Sequence, residues 1–287
     1  MFGYRADGKK VKDLDPITKI VPHIMKARYD AQNLAAYDVR CEPLDAYIRA
    51  QAEQGVRYTY MHILIAAVVR IFAMFPGVNR FVMNGRIYQH NDIQASFVVK
   101  KSLDINAPES LVKITCTGRE TLNEIREKID EAIAENARED ANNGTEKLAR
   151  LITYTPNFMI KFVIWIIKFM DRHGMFPMSI LNLSPFHTSF FLTNLKSIKG
   201  PVIYHHLYDF GTTGLFLAMG KDAAEPTIRG GEVGKERIMP LHITMDERFC
   251  DGLYWITGLK QLQLFLLNPS VLEKPFDPAA KDQSGNL

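Results

Sequence analysis

Apolar positions recur along the chain at helical and at strand spacing, and the two spacings predict most of its elements. Residues 15–27 read as a helix, with Pro16 suited to a first helical turn, and residues 33–40 alternate as a strand does. Residues 58–75, containing MHILIAAVVRIFAMF, are apolar almost all round and stop at Pro76-Gly77, which predicts a buried helix. In FVMNGRIY, residues 81–88, Asn84-Gly85 separates two apolar runs, the strongest short hairpin signal. Residues 93–100 and 111–117 read as further strands. Leu122, Ile125, Ile129, Ala132 and Ile133 mark one face of a helix with a charged surface. After a polar break come SFFLTNL at 189–195, TGLFLAMGK at 213–221 and RIMPLHITMDERFCDG at 237–252. The first two predict buried strands, and the third begins as one. A last helix at 253–267 stops at Asn268-Pro269.

The longest apolar run, FMIKFVIWIIKFM at 158–170, is 13 residues long with Lys161 and Lys168 inside it. A membrane span needs about 20 apolar residues, so this segment does not cross a bilayer. Its two lysines are seven apart and share a helical face, which makes it an amphipathic helix. Three uses fit that pattern: a core or subunit-interface helix, a lid over a greasy substrate, or a foot giving peripheral membrane contact through 158–170. Strands and helices mix without the regular alternation of a doubly wound sheet. The predicted fold class is therefore α/β, a two-layer sandwich of helices packed on a mixed β-sheet. We assign one domain to 1–270, with an amphipathic insertion at about 145–180, and a polar C-terminal tail to 271–287.

Charge narrows the function. Thirty-five basic and 32 acidic residues leave a net charge of +3, and no basic stripe is present, so no nucleic-acid partner is expected. The chain is 47% hydrophobic and 23% charged, enough for a real core. Cys41, Cys116 and Cys250 are odd in number and form no CxxC pair, which argues against a disulfide framework or a metal site and for a reducing, cytoplasmic setting. No apolar stretch of signal-peptide length opens the sequence. GxGxxG, P-loop and HExxH patterns are all missing.

The chemistry concentrates in DERFCDG, 246–252, where several ionisable groups follow a strand and precede a helix, and in SFFLTNL. Here the chain resembles the catalytic core of the dihydrolipoyl acyltransferases of 2-oxo acid dehydrogenase complexes and chloramphenicol acetyltransferase. In that family a strand ends in a catalytic histidine followed by three residues and Asp-Gly. An upstream Phe-Thr-Ile-Ser-Asn-Leu segment supplies an oxyanion-binding hydroxyl. FPGVNRFVMNGRIYQHND is similar to the family's Pro-x-x-Asn and hairpin, and the resemblance covers roughly 15–267, interrupted by the insertion.

The resemblance implies a chloramphenicol acetyltransferase-like fold, a homotrimer with active sites between subunits, coenzyme A or acyl-CoA as cosubstrate, and a small or lipophilic acceptor. No lipoyl attachment is expected on this chain. It places Thr193 at the oxyanion hydroxyl, with Asn194 beside it, and Ser189 as the fallback. It places Glu247 where the histidine stands. A carboxylate is about two pKa units weaker as a base than imidazole, so a glutamate there needs an apolar site that raises it. Glu247 could replace the base, bind a cationic substrate group while another residue moves the proton, or mark a catalytically inactive trimeric scaffold or CoA-binding module. His205 and His206, in YHHLYDFG, are candidates for the second case; His242 is expected to face the other way along its strand. Asp251 and Gly252 match the family most closely. They imply a structural ion pair, with Arg28 or Arg248 as its arginine, and a backbone turn at the glycine. Cys250 reads as a small buried hydrophobe.

Overall fold

The computed structural model describes residues 4–100, 109–138 and 156–277. In chain order the helices are α1 (Pro16–Ile24), α2 (Cys41–Glu53), α3 (Tyr60–Met74), α4 (Leu122–Arg138), α5 (Asn157–Arg172), α6 (Met178–Leu183) and α7 (Gly252–Leu267). The strands are β1 (Gly8–Lys10), β2 (Gln32–Arg40), β3 (Arg80–Met83), β4 (Arg86–His90), β5 (Ile93–Lys100), β6 (Glu109–Cys116), β7 (Phe190–Asn194), β8 (Leu215–Met219), β9 (Ala223–Arg229) and β10 (Glu232–Asp246).

The main sheet runs β2-β10-β8-β7-β5-β6, with β9 paired to the first half of β10. β7 lies parallel to both β5 and β8, and the other pairs are antiparallel, so the sheet is mixed. A small sheet, β1-β4-β3, holds the predicted hairpin. Its turn carries Asn84 at φ 52° and Gly85 at φ 68°, a two-residue connection whose hand matches the strand twist.

Strand alternation decides which side chains enter the core. Leu215, Leu217 and Met219 of β8, Leu241, Ile243 and Met245 of β10, and Phe190 and Leu192 of β7 pack with the buried face of α3. α3 is apolar on nearly every side because α4, α7 and the sheet surround it; Thr59 caps its start through a reciprocal box with His62. The opposite sheet face carries Phe191 and Phe216, covered by Leu207 and Tyr208. This is the anticipated sandwich.

Four sequence expectations need correction or extension. Helix α2 and the β9–β10 hairpin were not anticipated; β10 begins at Glu232, and the facing Ile228 of β9 and Val233 of β10 are 74% and 78% exposed. The solvated tail does not begin at 271. Leu272 is buried, Glu273 accepts from Tyr47, and the Lys274 carbonyl accepts from Arg70. Helix α5 is no core helix: only Asp171 in it is buried, while Phe158, Phe162 and Trp165 are exposed. Residues 139–155 of the expected insertion lie outside the described residues, as does the tail beyond 277. No helix among the described residues is long and apolar enough to cross a membrane.

Candidate functional site

The carboxyl end of β10 turns through residues 247–249 into α7, and this junction positions the DERFCDG side chains. Asp246 is fully buried. Its carboxylate accepts from Arg248 Nε at 2.9 Å and Nη2 at 2.6 Å, and Arg28 Nε lies 3.7 Å away. Both guanidiniums are buried as well. Burial lowers Arg28 to about 10, because desolvation outweighs the pull of Asp246.

Asp246 is thus the anchor that the resemblance had assigned to Asp251. Asp251 instead caps α7, its Oδ1 accepting from the Tyr254 amide at 2.8 Å, and it makes no ion pair among the described residues. The physical reason is position. Asp246 ends a strand inside the sheet, next to Arg248 and facing Arg28, whereas Asp251 is solvent-exposed at a helix start. Gly252 opens α7 with φ outside the left-handed region, and a Cβ there would meet nothing, so the turn does not require a glycine. Cys250 is buried, and burial pushes its thiol up to about 12. All three cysteines are unpaired.

Glu247 is half-buried at the mouth of the same junction. Asn33 Nδ2 donates to its Oε2 at 2.7 Å, and the Glu247 amide donates to the Ala31 carbonyl. β2 supplies Asn33 through its register with β10, where Asn33 faces Met245, and Ala31 immediately precedes the strand. Asn33 and Asp246 are site residues that sequence reading passed over. Asn33 is 214 positions from Glu247 and leaves no local signal; Asp246 was visible as the acid two residues before Arg248, but its burial was not.

Thr193 sits at the other end of the sheet. It pairs with Ala218, which pairs with His242, five residues short of Glu247. At about 3.3 Å per residue and ~4.8 Å per strand, Thr193 and Glu247 are roughly 19 Å apart within one chain. The chain therefore does not bring them together. The Thr193 hydroxyl makes no hydrogen bond with the described residues, whereas Asn194 caps the following turn by accepting from Ser197. Ser189 lies nearer the Glu247 end, but its hydroxyl is consumed: it accepts from the Gln94 amide and faces the Asp92 carbonyl in a buried setting.

The histidines stand elsewhere. His205 stacks on Phe216 at 3.9 Å, and burial lowers its pKa. His206 is exposed and packs against His205. His242 stacks on Tyr204. None of the three bonds to Glu247 or Thr193 among the described residues. Among the described residues no group of three His, Cys, Asp or Glu side chains could hold a metal ion.

With this geometry in hand, comparison places the fold. No protein-family profile matches the chain. The chain is 25% identical over 225 residues to the dihydrolipoyllysine-residue acetyltransferase component of the acetoin cleaving system of Bacillus subtilis (strain 168), covering 78% of this chain and 45% of that protein. It therefore spans about half the length of that relative. Among solved structures, a dihydrolipoamide acetyltransferase from Azotobacter vinelandii superposes with a TM-score of 0.58 at 14% identity, over 92% of this chain and 94% of that one. A probable dihydrolipoamide acetyltransferase from Listeria monocytogenes gives 0.55 at 15% identity, over 90% and 94% of the two chains. A chloramphenicol acetyltransferase gives 0.51 at 14%, over 90% and 99%. The fold is that of the chloramphenicol acetyltransferase-like acyltransferase cores, as the resemblance implied.

Proposed function

We propose that the protein moves an acyl group from a coenzyme A thioester to a small or lipophilic acceptor, at a site shared by two copies in a homotrimer. The observation that carries this reading is the division of labour along the sheet. A half-buried carboxylate, oriented by Asn33, stands at one end. A hydroxyl not engaged by the described residues stands at the other, too far away to serve the same carbonyl within one chain. The exposed apolar residues Ile228 and Val233 on the β9–β10 arm suit contact with a second copy.

Glu247 takes the proton from the acceptor as the acceptor atom attacks the thioester carbonyl carbon. The Thr193 hydroxyl of a neighbouring copy donates to the oxyanion that forms. Collapse breaks the C–S bond, and the departing thiolate recovers the proton from Glu247. General-base help contributes about 10²–10⁴-fold and an oxyanion donor about 10²–10³-fold. The glutamate in place of histidine favours a second reading, a catalytically inactive trimeric scaffold or CoA-binding module.

Thiol release from a panel of CoA thioesters, with candidate acceptors, separates the two. Thr193→Val should cut turnover by about 10²-fold with thioester affinity nearly intact, because the lost bond forms mainly in the transition state. Glu247→Gln should abolish turnover, and Glu247→His should raise transfer to thiol acceptors. No thiol release from wild type or any variant, with any thioester, leaves the scaffold reading. A mass in solution of one chain would refute the shared site.

A further inference from the structure

Beside the Arg248 junction, a cleft of about 570 Å³ opens between α5 and the β3–β4 turn. Its α5 wall belongs to the segment at which the resemblance to the acyltransferase cores is interrupted. Five cations line it: Lys26, Arg28, Lys168, Arg172 and Arg248. The two carboxylates in its wall are engaged. Asp171 faces Arg5 at 2.9 Å and His187 at 3.1 Å, and Asp209 accepts from the Arg28 amide. Below them a single buried carboxylate, Asp246, serves two buried guanidiniums.

Arg28 is 2% exposed and donates to the Tyr208 and Gly211 carbonyls, yet its Nε–H makes no hydrogen bond. The floor thus sets two guanidiniums on one buried carboxylate, and desolvation by burial depresses Arg28 despite the pull of Asp246 and of the exposed Asp209. The upper wall differs in kind. Phe162, Trp165 and Phe169 form a ladder of stacked rings, with centroids 6.1 and 5.7 Å apart, and Trp165 and Phe169 reach the cleft.

We propose that this cleft binds an anionic amphiphile, its phosphate headgroup held by the exposed Lys26, Lys168 and Arg172 above the buried positive charge of Arg28 and Arg248, and its alkyl chain laid along Trp165 and Phe169. Several cations against engaged carboxylates suit a dianionic, multiply accepting group. The aromatic ladder gives the chain an apolar surface that is otherwise wet. This is a binding proposal and stands apart from acyl transfer, so its failure leaves the thioester experiment untouched, and the reverse.

The test uses the full chain and titrates dodecyl phosphate below its micelle concentration, with dodecanol and inorganic phosphate as separate arms. Trp165 fluorescence and calorimetry are the readouts, and Trp165→Phe should remove the fluorescence signal. Dodecyl phosphate should bind at least tenfold more tightly than either other arm. The exposed pair Lys168→Gln with Arg172→Gln should weaken dodecyl phosphate at least tenfold and leave dodecanol unchanged. Dodecanol within tenfold of dodecyl phosphate makes α5 a general apolar surface and overturns the proposal. Inorganic phosphate within tenfold overturns the amphiphile, and so does a double variant that keeps its affinity.

Discussion

Replacing Asp246 by Asn isolates one charge at the best-buried point of the junction. The side chain keeps its size, and its oxygen can still accept from the Arg248 amide, which lies 3.1 Å from Oδ1. What goes is the negative charge shared by two guanidiniums that are each at most 3% exposed. Removing one partner of a buried ion pair typically costs about 3–5 kcal/mol, because the remaining charge stays desolvated and unpaired. Here two cations are left facing each other, so the upper part of that range is expected. For a domain of this size it corresponds to a fall in Tm on the order of 10 °C. Thermal and urea unfolding at fixed protein concentration would read it, since self-association shifts apparent stability by mass action. Arg28→Met should cost less, because it leaves the one-to-one Arg248–Asp246 pair intact. A loss below about 1 kcal/mol for Asp246→Asn, or the reverse order of the two variants, would refute the claim that Asp246 anchors the junction.

Acid should loosen the small sheet. Burial lowers His90 to about 4 in the folded protein, against about 6.5 for a free histidine. The unfolded chain therefore binds the proton first. This contribution is fully present above pH 6.5 and is lost as pH falls toward 4, amounting to about 3 kcal/mol. His90→Gln should flatten that part of the stability–pH curve. Gly211 has φ +88°, and a Cβ there would lie 2.2 Å from the Phe186 carbonyl oxygen, so Gly211→Ala should destabilise by roughly 2 kcal/mol or more in urea. Paired Ile228→Asp and Val233→Asp substitutions should lower the mass in solution without unfolding the chain, as judged by sedimentation and circular dichroism. An unchanged mass would remove the β9–β10 arm from the assembly.

The order of elements was legible in the sequence because each depends on spacing within a short window. The all-apolar α3, the Asn84-Gly85 turn, the β7 and β8 runs and the α7 stop at Asn268-Pro269 all carry local signals, and the structure has each of them. The mixed sheet was legible as a class. Helix α2 was missed because CEPLDAYIRAQAE buries only Cys41 and Leu44 and carries a weak apolar stripe. The outer half of β10 was missed because its arm is solvated and does not alternate. Within the site, the sequence by itself determined which residue types stand where the acyltransferase motif stands, including Glu247 and Thr193.

Only the tertiary structure decided their relationships. Asp246 rather than Asp251 meets Arg28, because burial and strand direction, not motif position, select an ion partner. Ser189 is tied to Gln94 from a strand 95 residues away, and Asn33 reaches Glu247 through the β2–β10 register. The cationic cleft joins residues from 26 to 248. Each of these contacts rests on pairing between segments distant in the chain, and spacing along a sequence carries no information about which distant segments will pack together.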